Sequence, residues 1–295
     1  MSSNPLVSRD QVALFMNNGY VLGGQLLNDD QVEVLRAEMD RVIRDKDNAD
    51  VRQPHRLLNI GEDENPVWQI VNIWQASSPF EQLVKYPAVA DAISRLIPAK
   101  EIRLWHDQIQ YKPAQKGGVS MWHQDAPYWW IIEPATQVTA WIALDDVDED
   151  NGCMSMVPGS HSWGDHLDYL ESLPDFTAMP RSYQGHDIQV VTCPVKKGQV
   201  HFHHSLTWHG SQANISGRPR RAIALHYMTE ETCYVAGDDH PVKGLIEVAD
   251  GEMLQGKMFP LVYPYHGGIV AYSLIAFRDE GESFDRYLGA KSMPS

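Results

Sequence analysis

The sequence is poor in cysteine and in basic residues, and it lacks long apolar runs. Three of its 295 residues are cysteines and none forms a Cys-x-x-Cys pair, which excludes a disulfide framework and agrees with a reducing compartment. Lysine and arginine number 24 against 39 aspartates and glutamates, and this charge of −15 argues against nucleic-acid or anionic-membrane partners. No apolar run has membrane-spanning length and the first residues show no secretion signal, so we expect a soluble, cytoplasmic protein.

The first hundred residues carry the signals of four helices. Ser8 and Asn28 are each followed three residues later by glutamine, the capping-box pattern that begins a helix, and Gly19 is placed to end the first one. Two further helices are predicted over residues 79–86 and 88–97, where a proline or an apolar stripe favours a helical start. We interpret this region as mostly helical support for the rest of the chain.

From Ile102 the pattern changes to short runs rich in β-branched and aromatic residues, separated by turn residues. Seven or eight such strands predict a mainly β protein, a sandwich or a jelly-roll barrel. Residues 164–185 are interpreted as an insertion over the mouth of the barrel. The candidate strands are Ile102–Lys112, Val119–His123, Thr136–Leu144, Cys153–Val157, Ile188–Thr192, Gln199–His203 and Arg221–Met228.

A His-x-Asp motif lies in residues 121–125 of this region. Alternate side chains of a strand share one face, so His123 and Asp125 can converge on one small volume. Two such ligands hold a divalent metal poorly, and the best candidate for a third is His209. Two histidines and one carboxylate on one side of an ion leave its other side open, as in the facial triad of non-haem Fe(II) oxygenases.

The 13 histidines of the chain offer alternatives to this triad. The cluster at residues 201–204 contains three of them and is itself a candidate metal site. Adjacent strand residues point to opposite faces, however, so His203 and His204 cannot both face one ion from the same strand. We interpret His240 and His266 as surface or packing residues, and we prefer the triad.

An arginine downstream of His209 supports an oxygenase that uses a 2-oxo acid. Arg220 lies where a turn leads into the next strand, from which its planar guanidinium can point into the barrel and meet a carboxylate. The 2-oxo group and first carboxylate of such an acid would occupy the metal, and its far carboxylate would pair with the arginine. Arg218 and Arg221 are interpreted as solvated residues of the turn.

The run from about Ile102 to Tyr227 resembles the phytanoyl-CoA dioxygenase (PhyH) family of Fe(II)/2-oxoglutarate-dependent oxygenases. Each short motif is weak alone, but their order and spacing make a strong match. The segment at residues 17–21 also resembles the family. The matching pieces are Trp122-His123-Gln124-Asp125, Asn151-Gly152-Cys153-Met154, Val157-Pro158-Gly159-Ser160-His161, and His209-Gly210-Ser211 through Arg220.

This resemblance implies a double-stranded β-helix, a cupin-like jelly roll braced by flanking helices. It implies one PhyH-like oxygenase domain over residues 1–295, with mostly helical support in 1–100, the jelly-roll core in 101–230 and an irregular C-terminal extension in 231–295. The implied activity is oxidation of a small organic metabolite by O₂. Hydroxylation, or else desaturation or ring formation, accompanies decarboxylation of 2-oxoglutarate to succinate and CO₂.

The resemblance also implies roles for single residues. The presence of Asp125 argues against halogenation, because related halogenases replace this carboxylate with a small residue so that a halide can bind. By position, His123, Asp125 and His209 would bind Fe(II), Arg220 and Ser211 would bind the far carboxylate of 2-oxoglutarate, Trp141 would lie against this cosubstrate, and Gln108 would touch it.

The substrate is predicted from the aromatic loop that follows the motif. Tyr128, Trp129 and Trp130 are placed at the pocket mouth, where aromatic walls favour an apolar or ring-containing small molecule. The alternative is that these rings pack a lid. No basic run indicates recognition of coenzyme A, so an acyl-CoA substrate does not follow from the family name.

Two other functions stay open at this point. One is a non-catalytic or differently metallated jelly-roll protein that binds a small ligand. The other is a cupin-type metalloenzyme that uses the same three ligands without 2-oxoglutarate. The triad together with Arg220 favours the oxygenase over both.

Overall fold

A computed structural model describes residues 5–60, 67–115, 117–237 and 239–264; His266 and the predicted extension beyond residue 264 lie outside them. The helices are α1 (Arg9–Asn18), α2 (Asp29–Arg44), α3 (Ser78–Val84), α4 (Pro87–Leu96) and α5 (Leu167–Glu171). The strands are β1 (Tyr20–Gln25), β2 (Arg56–Asn59), β3 (Trp68–Val71), β4 (Ile102–Lys112), β5 (Ser120–His123), β6 (Ile132–Glu133), β7 (Val138–Ala143), β8 (Met154–Met156), β9 (Ser182–Tyr183), β10 (His186–Asp187), β11 (Val191–Cys193), β12 (Gln199–His204), β13 (His209–Ser211), β14 (Arg220–Thr229), β15 (Cys233–Tyr234) and β16 (Leu261–Tyr263).

The four predicted N-terminal helices are confirmed, and their ends have local causes. The Ser8 hydroxyl accepts from the amide of Gln11 at 3.2 Å while Ser8 receives the reciprocal bond, and Asn28 repeats this box at the start of α2. Gly19 ends α1 with a φ of 79°. A side chain at Gly19 would also collide with the imidazole of His161 at 2.5 Å, so only glycine fits this turn.

Two antiparallel sheets form the jelly roll, which confirms the predicted fold class. The major sheet has the order β1-β12-β7-β14-β4-β3-β2, with β16 paired to β4, and the minor sheet has the order β11-β8-β13-β5. Strands β1, β2 and β3 come from the region expected to be mostly helical. They are short. β1 pairs with residues 199–203, a partner that local sequence patterns do not reveal, and β2 pairs with the nearby β3.

The two faces of the major sheet differ in chemistry. On β7, residues 138, 140 and 142 point outward into an apolar core shared with helices α1 to α4, whereas Thr139 and Trp141 point inward to the cavity between the sheets. The helices therefore cover the outer face, and the space between the sheets holds the polar side chains of the cavity beside a smaller apolar cluster. No helix in the described part of the chain combines the length and apolarity needed to cross a membrane.

The insertion and the C-terminal segment both pack onto the barrel. Within residues 164–185, Phe176 stacks on Trp122 with ring centroids 4.8 Å apart and accepts a hydrogen bond from its indole. The described part of the C-terminal extension adds β15 and β16 and buries Phe259 against Trp105. The described part of the extension is irregular over most of its length, but it contributes apolar side chains to this buried cluster.

Candidate active site

The antiparallel pairing of β5 and β13 brings the two predicted metal-binding histidines together. His123 and His209 lie directly opposite each other in the register, and their ring centroids are 4.1 Å apart. Each Nδ1 donates to the backbone carbonyl two residues before it, at 2.7 Å to Met121 and at 2.9 Å to Thr207. With the proton on Nδ1, both Nε2 lone pairs are available to an ion.

Asp125 completes the triad at the end of β5. Its Oδ1 lies 3.9 Å from His123 Nε2 and 3.6 Å from His209 Nε2. Because a metal–nitrogen bond is about 2.1 Å long, two ligands of one ion can be no more than about 4.2 Å apart, and both distances satisfy that limit. Among the described residues, these three form the group whose spacing suits a metal ion.

The loop that carries Asp125 is held by its neighbour. Gln124 is fully buried and donates to the carbonyls of Gly164 and Leu206 at 2.8 and 2.7 Å, while its oxygen accepts from the amide of His166 at 2.7 Å. This amide ties the motif loop to the insertion and to the loop before β13. It is a positioning residue that the motif contained but that sequence reasoning did not single out.

The electrostatics of the triad favour a cation. Burial, together with His209, lowers the pKa of His123 to about 4, so its imidazole is neutral. Burial alone would raise the pKa of Asp125, but His209 and a hydrogen bond from His203 hold it well below its usual range. Neutral imidazoles and an ionised carboxylate are the protonation states that metal binding requires.

Asp125 also has partners that the sequence did not identify. Its Oδ2 lies 3.2 Å from the Thr139 hydroxyl and 3.3 Å from His203 Nε2, and Thr139 lies 2.7 Å from His226 Nδ1. His203 belongs to the alternative histidine cluster, but it faces the outer oxygen of Asp125. His204, on the opposite face as expected, lies near His161 with ring centroids 5.6 Å apart.

Behind Ser211, which lines the cavity, lie two basic side chains, Arg220 and Lys112, and we call this part the cationic end. Arg220 is 2% exposed, and its Nη2 donates to the Gly152 carbonyl at 3.1 Å and to the Ser211 hydroxyl at 3.2 Å. Lys112 Nζ donates to the same hydroxyl at 2.8 Å and to the carbonyl of Gln212 at 2.6 Å. Within the described ranges, neither cation forms an ion pair with a carboxylate, and the Nε of Arg220 has no hydrogen-bond partner.

Desolvation changes the protonation behaviour of this end. Burial, together with the charge of Arg220, lowers the pKa of Lys112 to about 6. Burial likewise lowers the pKa of Arg220 to about 10. Arg220 is a buried cation without a carboxylate partner, and Lys112 beside it can take up a proton when a negative charge binds, so the two form a site for an anion. Lys112 was not predicted, although it lies on the cavity face of β4.

The remaining predicted cosubstrate residues lie on or near the cavity wall. Trp141 lines the cavity, donates from its indole to Gln110 at 2.9 Å, and has the Arg220 guanidinium 5.4 Å from its ring centroid. Gln110 also lines the cavity. Gln108 has the same orientation along β4 but is not part of the lining, so its contact with the cosubstrate stays a prediction.

The three aromatic residues after the motif lie in different environments. Trp129 is buried, with its ring centroid 5.4 Å from that of His106 and 4.9 Å from that of His226. Tyr128 is 40% exposed and Trp130 is 48% exposed. Tyr128 and Trp130 are therefore the rings of this group that are open to a ligand, whereas Trp129 packs the floor of the mouth.

Comparison with known proteins identifies the family to which this arrangement belongs. The family model for phytanoyl-CoA dioxygenase (PhyH) matches residues 15–222. The chain belongs to the PhyH family. It is 30% identical over 244 residues to ectoine dioxygenase from Bordetella bronchiseptica, and the match covers 76% of each chain.

Solved structures of related fold carry the same conclusion. The non-haem alpha-ketoglutarate-dependent carbocyclase SnoK from nogalamycin biosynthesis superposes with a TM-score of 0.69 at 29% identity, covering 87% of this chain and 96% of that one. The epimerase SnoN, in complex with Fe³⁺, alpha-ketoglutarate and nogalamycin RO, gives a TM-score of 0.68 at 25% identity, covering 86% and 97%. The predicted jelly-roll fold, the enzyme class of 2-oxoglutarate-dependent non-haem iron dioxygenase, and the use of iron, 2-oxoglutarate and O₂ on a small metabolite are confirmed.

Proposed function

We propose that His123, Asp125 and His209 bind Fe(II), and that Arg220, Ser211 and Lys112 bind the far carboxylate of 2-oxoglutarate. The observation that carries this assignment is the polarity of the cavity: the ionised carboxylate of Asp125 lies at the triad, and the buried guanidinium of Arg220 and amine of Lys112 lie around Ser211 with no carboxylate partner among the described residues. A molecule that chelates a metal and ends in a second carboxylate matches both ends.

The protein's own residues bind and orient the reactants. Trp141 forms a wall along the cosubstrate between the two ends. It also packs against the Arg220 guanidinium and so holds that group in one orientation. The apolar side chains beneath the cavity exclude bulk water. Iron bound by the triad would activate O₂ for decarboxylation of 2-oxoglutarate to succinate and CO₂ and for oxidation of the organic substrate.

The substrate reaches the metal from the side of His123, whose side chain is 25% exposed. Tyr128 lies beside it with ring centroids 6.2 Å apart, and Trp130 is exposed on the same loop. We expect an apolar or ring-containing small molecule to stack there, with hydroxylation as the leading outcome and desaturation or ring formation as branches of the same oxidation. A cytoplasmic location stays a prediction.

The direct test measures succinate formed from 2-oxoglutarate with added Fe(II). Wild-type protein forms succinate, His123→Ala does not, and Arg220→Ala does so only at much higher 2-oxoglutarate concentration. His55→Ala is the matched control, because this imidazole lies outside the cavity and contacts the carbonyl of Pro241 at 2.9 Å. Unchanged succinate formation in His123→Ala would show that the metal assignment is wrong.

The two alternative functions make different predictions in the same assays. A cupin-type enzyme without 2-oxoglutarate keeps its activity in Arg220→Ala, since the cationic end has no part in its reaction. A binding protein holds another metal such as zinc tightly and consumes no O₂. Metal analysis of protein purified without added iron distinguishes the second case.

A further inference from the structure

Four side chains form one row across the inner face of the major sheet, below Asp125. The register pairs His203 with Thr139, Thr139 with His226, and His226 with His106 on four neighbouring strands. Directly paired residues of adjacent strands point to the same face, so the first three of this row meet the outer oxygen of Asp125. Their separations from Asp125 Oδ2 are 3.3 Å for His203 Nε2, 3.2 Å for the Thr139 hydroxyl and 3.9 Å for His226 Nδ1.

The number of protons on these groups determines which group donates each hydrogen bond of the row. An ionised carboxylate only accepts hydrogen bonds, so the Thr139 hydroxyl donates its single proton to Asp125 Oδ2. The contact of 2.7 Å between Thr139 and His226 Nδ1 then requires the imidazole to be the donor. His203 donates from Nε2 to the same carboxylate oxygen. His226 is therefore the Nδ1–H tautomer and His203 the Nε2–H tautomer.

The ring of His226 has little freedom to take another orientation. It is 4% exposed, and ring centroids of His106 and Trp129 lie 4.4 and 4.9 Å from its own. Asp125 is likewise held from below, because the amide of Ala126 donates to the Ser205 carbonyl at 3.0 Å. The carboxylate is thus presented in one orientation, with Oδ2 occupied by two donors and Oδ1 directed at both ligand histidines.

This orientation matters for the number of positions on the metal. With one oxygen of Asp125, the triad provides three ligands and a chelating 2-oxo acid provides two, which leaves a sixth position for dioxygen. With both oxygens of Asp125 bound, six positions are filled and none is left. If Asp125 changed from one bound oxygen to two, the position for dioxygen would be lost.

We propose that Thr139, His203 and His226 are positioning residues that restrict Asp125 to one metal-binding oxygen and so keep a coordination position open. This rests on the proposed chelation of 2-oxoglutarate at the triad. Thr139 is the central positioning residue, because its one hydroxyl accepts from His226 and donates to the carboxylate of Asp125.

The experiment compares wild type with Thr139→Val, which keeps the shape and removes the hydroxyl, and with Thr139→Ser, which restores it. Thr232→Val is the matched control, since that buried hydroxyl has no hydrogen-bond partner among the described residues. Structures of Co(II)-loaded protein with 2-oxoglutarate show how many Asp125 oxygens bind. Succinate formation at saturating Fe(II) measures the consequence.

One Asp125 oxygen is expected on the metal in wild type and two in Thr139→Val. Succinate formation is expected to fall about tenfold in Thr139→Val and to recover in Thr139→Ser, within the range known for residues that orient metal ligands. Two bound oxygens in wild type, His203 bound to the metal, or a rate that recovers fully when more iron is added to Thr139→Val would each overturn the proposal.

A measurement on wild type alone covers the case in which the valine variant does not fold. Nitrogen-15 NMR of the Zn(II)-loaded protein reports the His226 tautomer. A proton on Nε2 in place of Nδ1 would mean that His226 accepts from Thr139, so that Thr139 could not donate to Asp125, and the proposal would be refuted. The proposed function fails separately, if wild type forms no succinate in response to Fe(II) and 2-oxoglutarate. Asp125 denticity in the Co(II) protein can still be measured in that event.

Discussion

The two ends of the cavity differ in how completely their charged groups are paired. At the metal end, the carboxylate of Asp125 faces the imidazoles of His123 and His209, whose Nδ1 atoms donate to backbone carbonyls, and its Oδ2 accepts from Thr139 and His203. At the cationic end, Arg220 and Lys112 share one hydroxyl and have no carboxylate partner within the described ranges. The first end is organised before any ligand arrives, and the second is electrostatically incomplete.

This difference shows how one cavity selects a bifunctional ligand. Buried cations without a counter-ion are costly to the free protein, and a bound carboxylate removes that cost. The triad attracts a cation by geometry and protonation state, whereas the far end attracts an anion by unbalanced charge. We therefore expect substitutions at the metal end to abolish the reaction and those at the cationic end to weaken cosubstrate binding.

The largest effect is expected at the metal end. His209→Ala removes one of three ligands and should reduce succinate formation by at least about a thousandfold, since the metal supplies several kcal/mol of rate acceleration. Fe(II) binding, measured by competition with a chelator, should weaken in parallel. Loss of binding without loss of rate at saturating iron would mean that His209 is replaceable and that the two ends are less different than their structures indicate.

At the cationic end, Arg220→Ala should raise the KM for 2-oxoglutarate about 100-fold, which corresponds to about 2.7 kcal/mol. The effect on kcat should be smaller. Arg221→Ala is a close control, because this neighbour points to the other face of β14 and makes two hydrogen bonds of 2.9 Å to the side chain of Asp145. It should affect stability and leave the KM unchanged; equal KM effects in both variants would contradict the assignment.

The pH dependence of 2-oxoglutarate binding tests Lys112. With its pKa lowered to about 6 by burial, Lys112 is mostly neutral above neutral pH, and a bound carboxylate raises that pKa. Binding is therefore strongest where Lys112 is protonated and weakens as the pH rises through the pKa of the complex, about tenfold per pH unit at most. Calorimetric titration of wild type should show this slope, and Lys112→Met should reduce it.

The smallest effect on cosubstrate turnover is expected at the mouth, outside both ends. Trp130→Ala should leave succinate formation in the absence of substrate within about twofold of wild type, since the exposed ring contacts neither end. Trp129→Ala removes a buried ring and should lower the free energy of unfolding by about 3–5 kcal/mol. If Trp130→Ala abolishes uncoupled turnover, the mouth loop supports the metal end directly.

Local patterns were sufficient for the helices and most core strands. Short-range patterns predict the capping boxes at Ser8 and Asn28 and the alternation in β4. Each pattern lies within a few residues, so these local structures follow from neighbouring side chains. The missed residues also had a signal. Thr139 is two residues from inward-facing Trp141, and His226 is six residues from Arg220, so even spacing placed both on the cavity face.

Even spacing does not reveal which strands are neighbours. The contact of Thr139 with His203 and His226 depends on the order β12-β7-β14, and the pairing of Lys112 with Ser211 depends on the approach of β4 to β13. The same limit explains β1, whose partner β12 lies far along the chain.

By itself the sequence determined which side chains are present, their alternation along each strand and the caps of the helices, because these depend on short-range geometry. Only the tertiary structure decided that Oδ1 of Asp125 faces the Nε2 atoms of His123 and His209 while Oδ2 is bonded, and that Arg220 and Lys112 share Ser211. Those contacts arise from the register between distant strands, which is set by long-range packing of the two sheets.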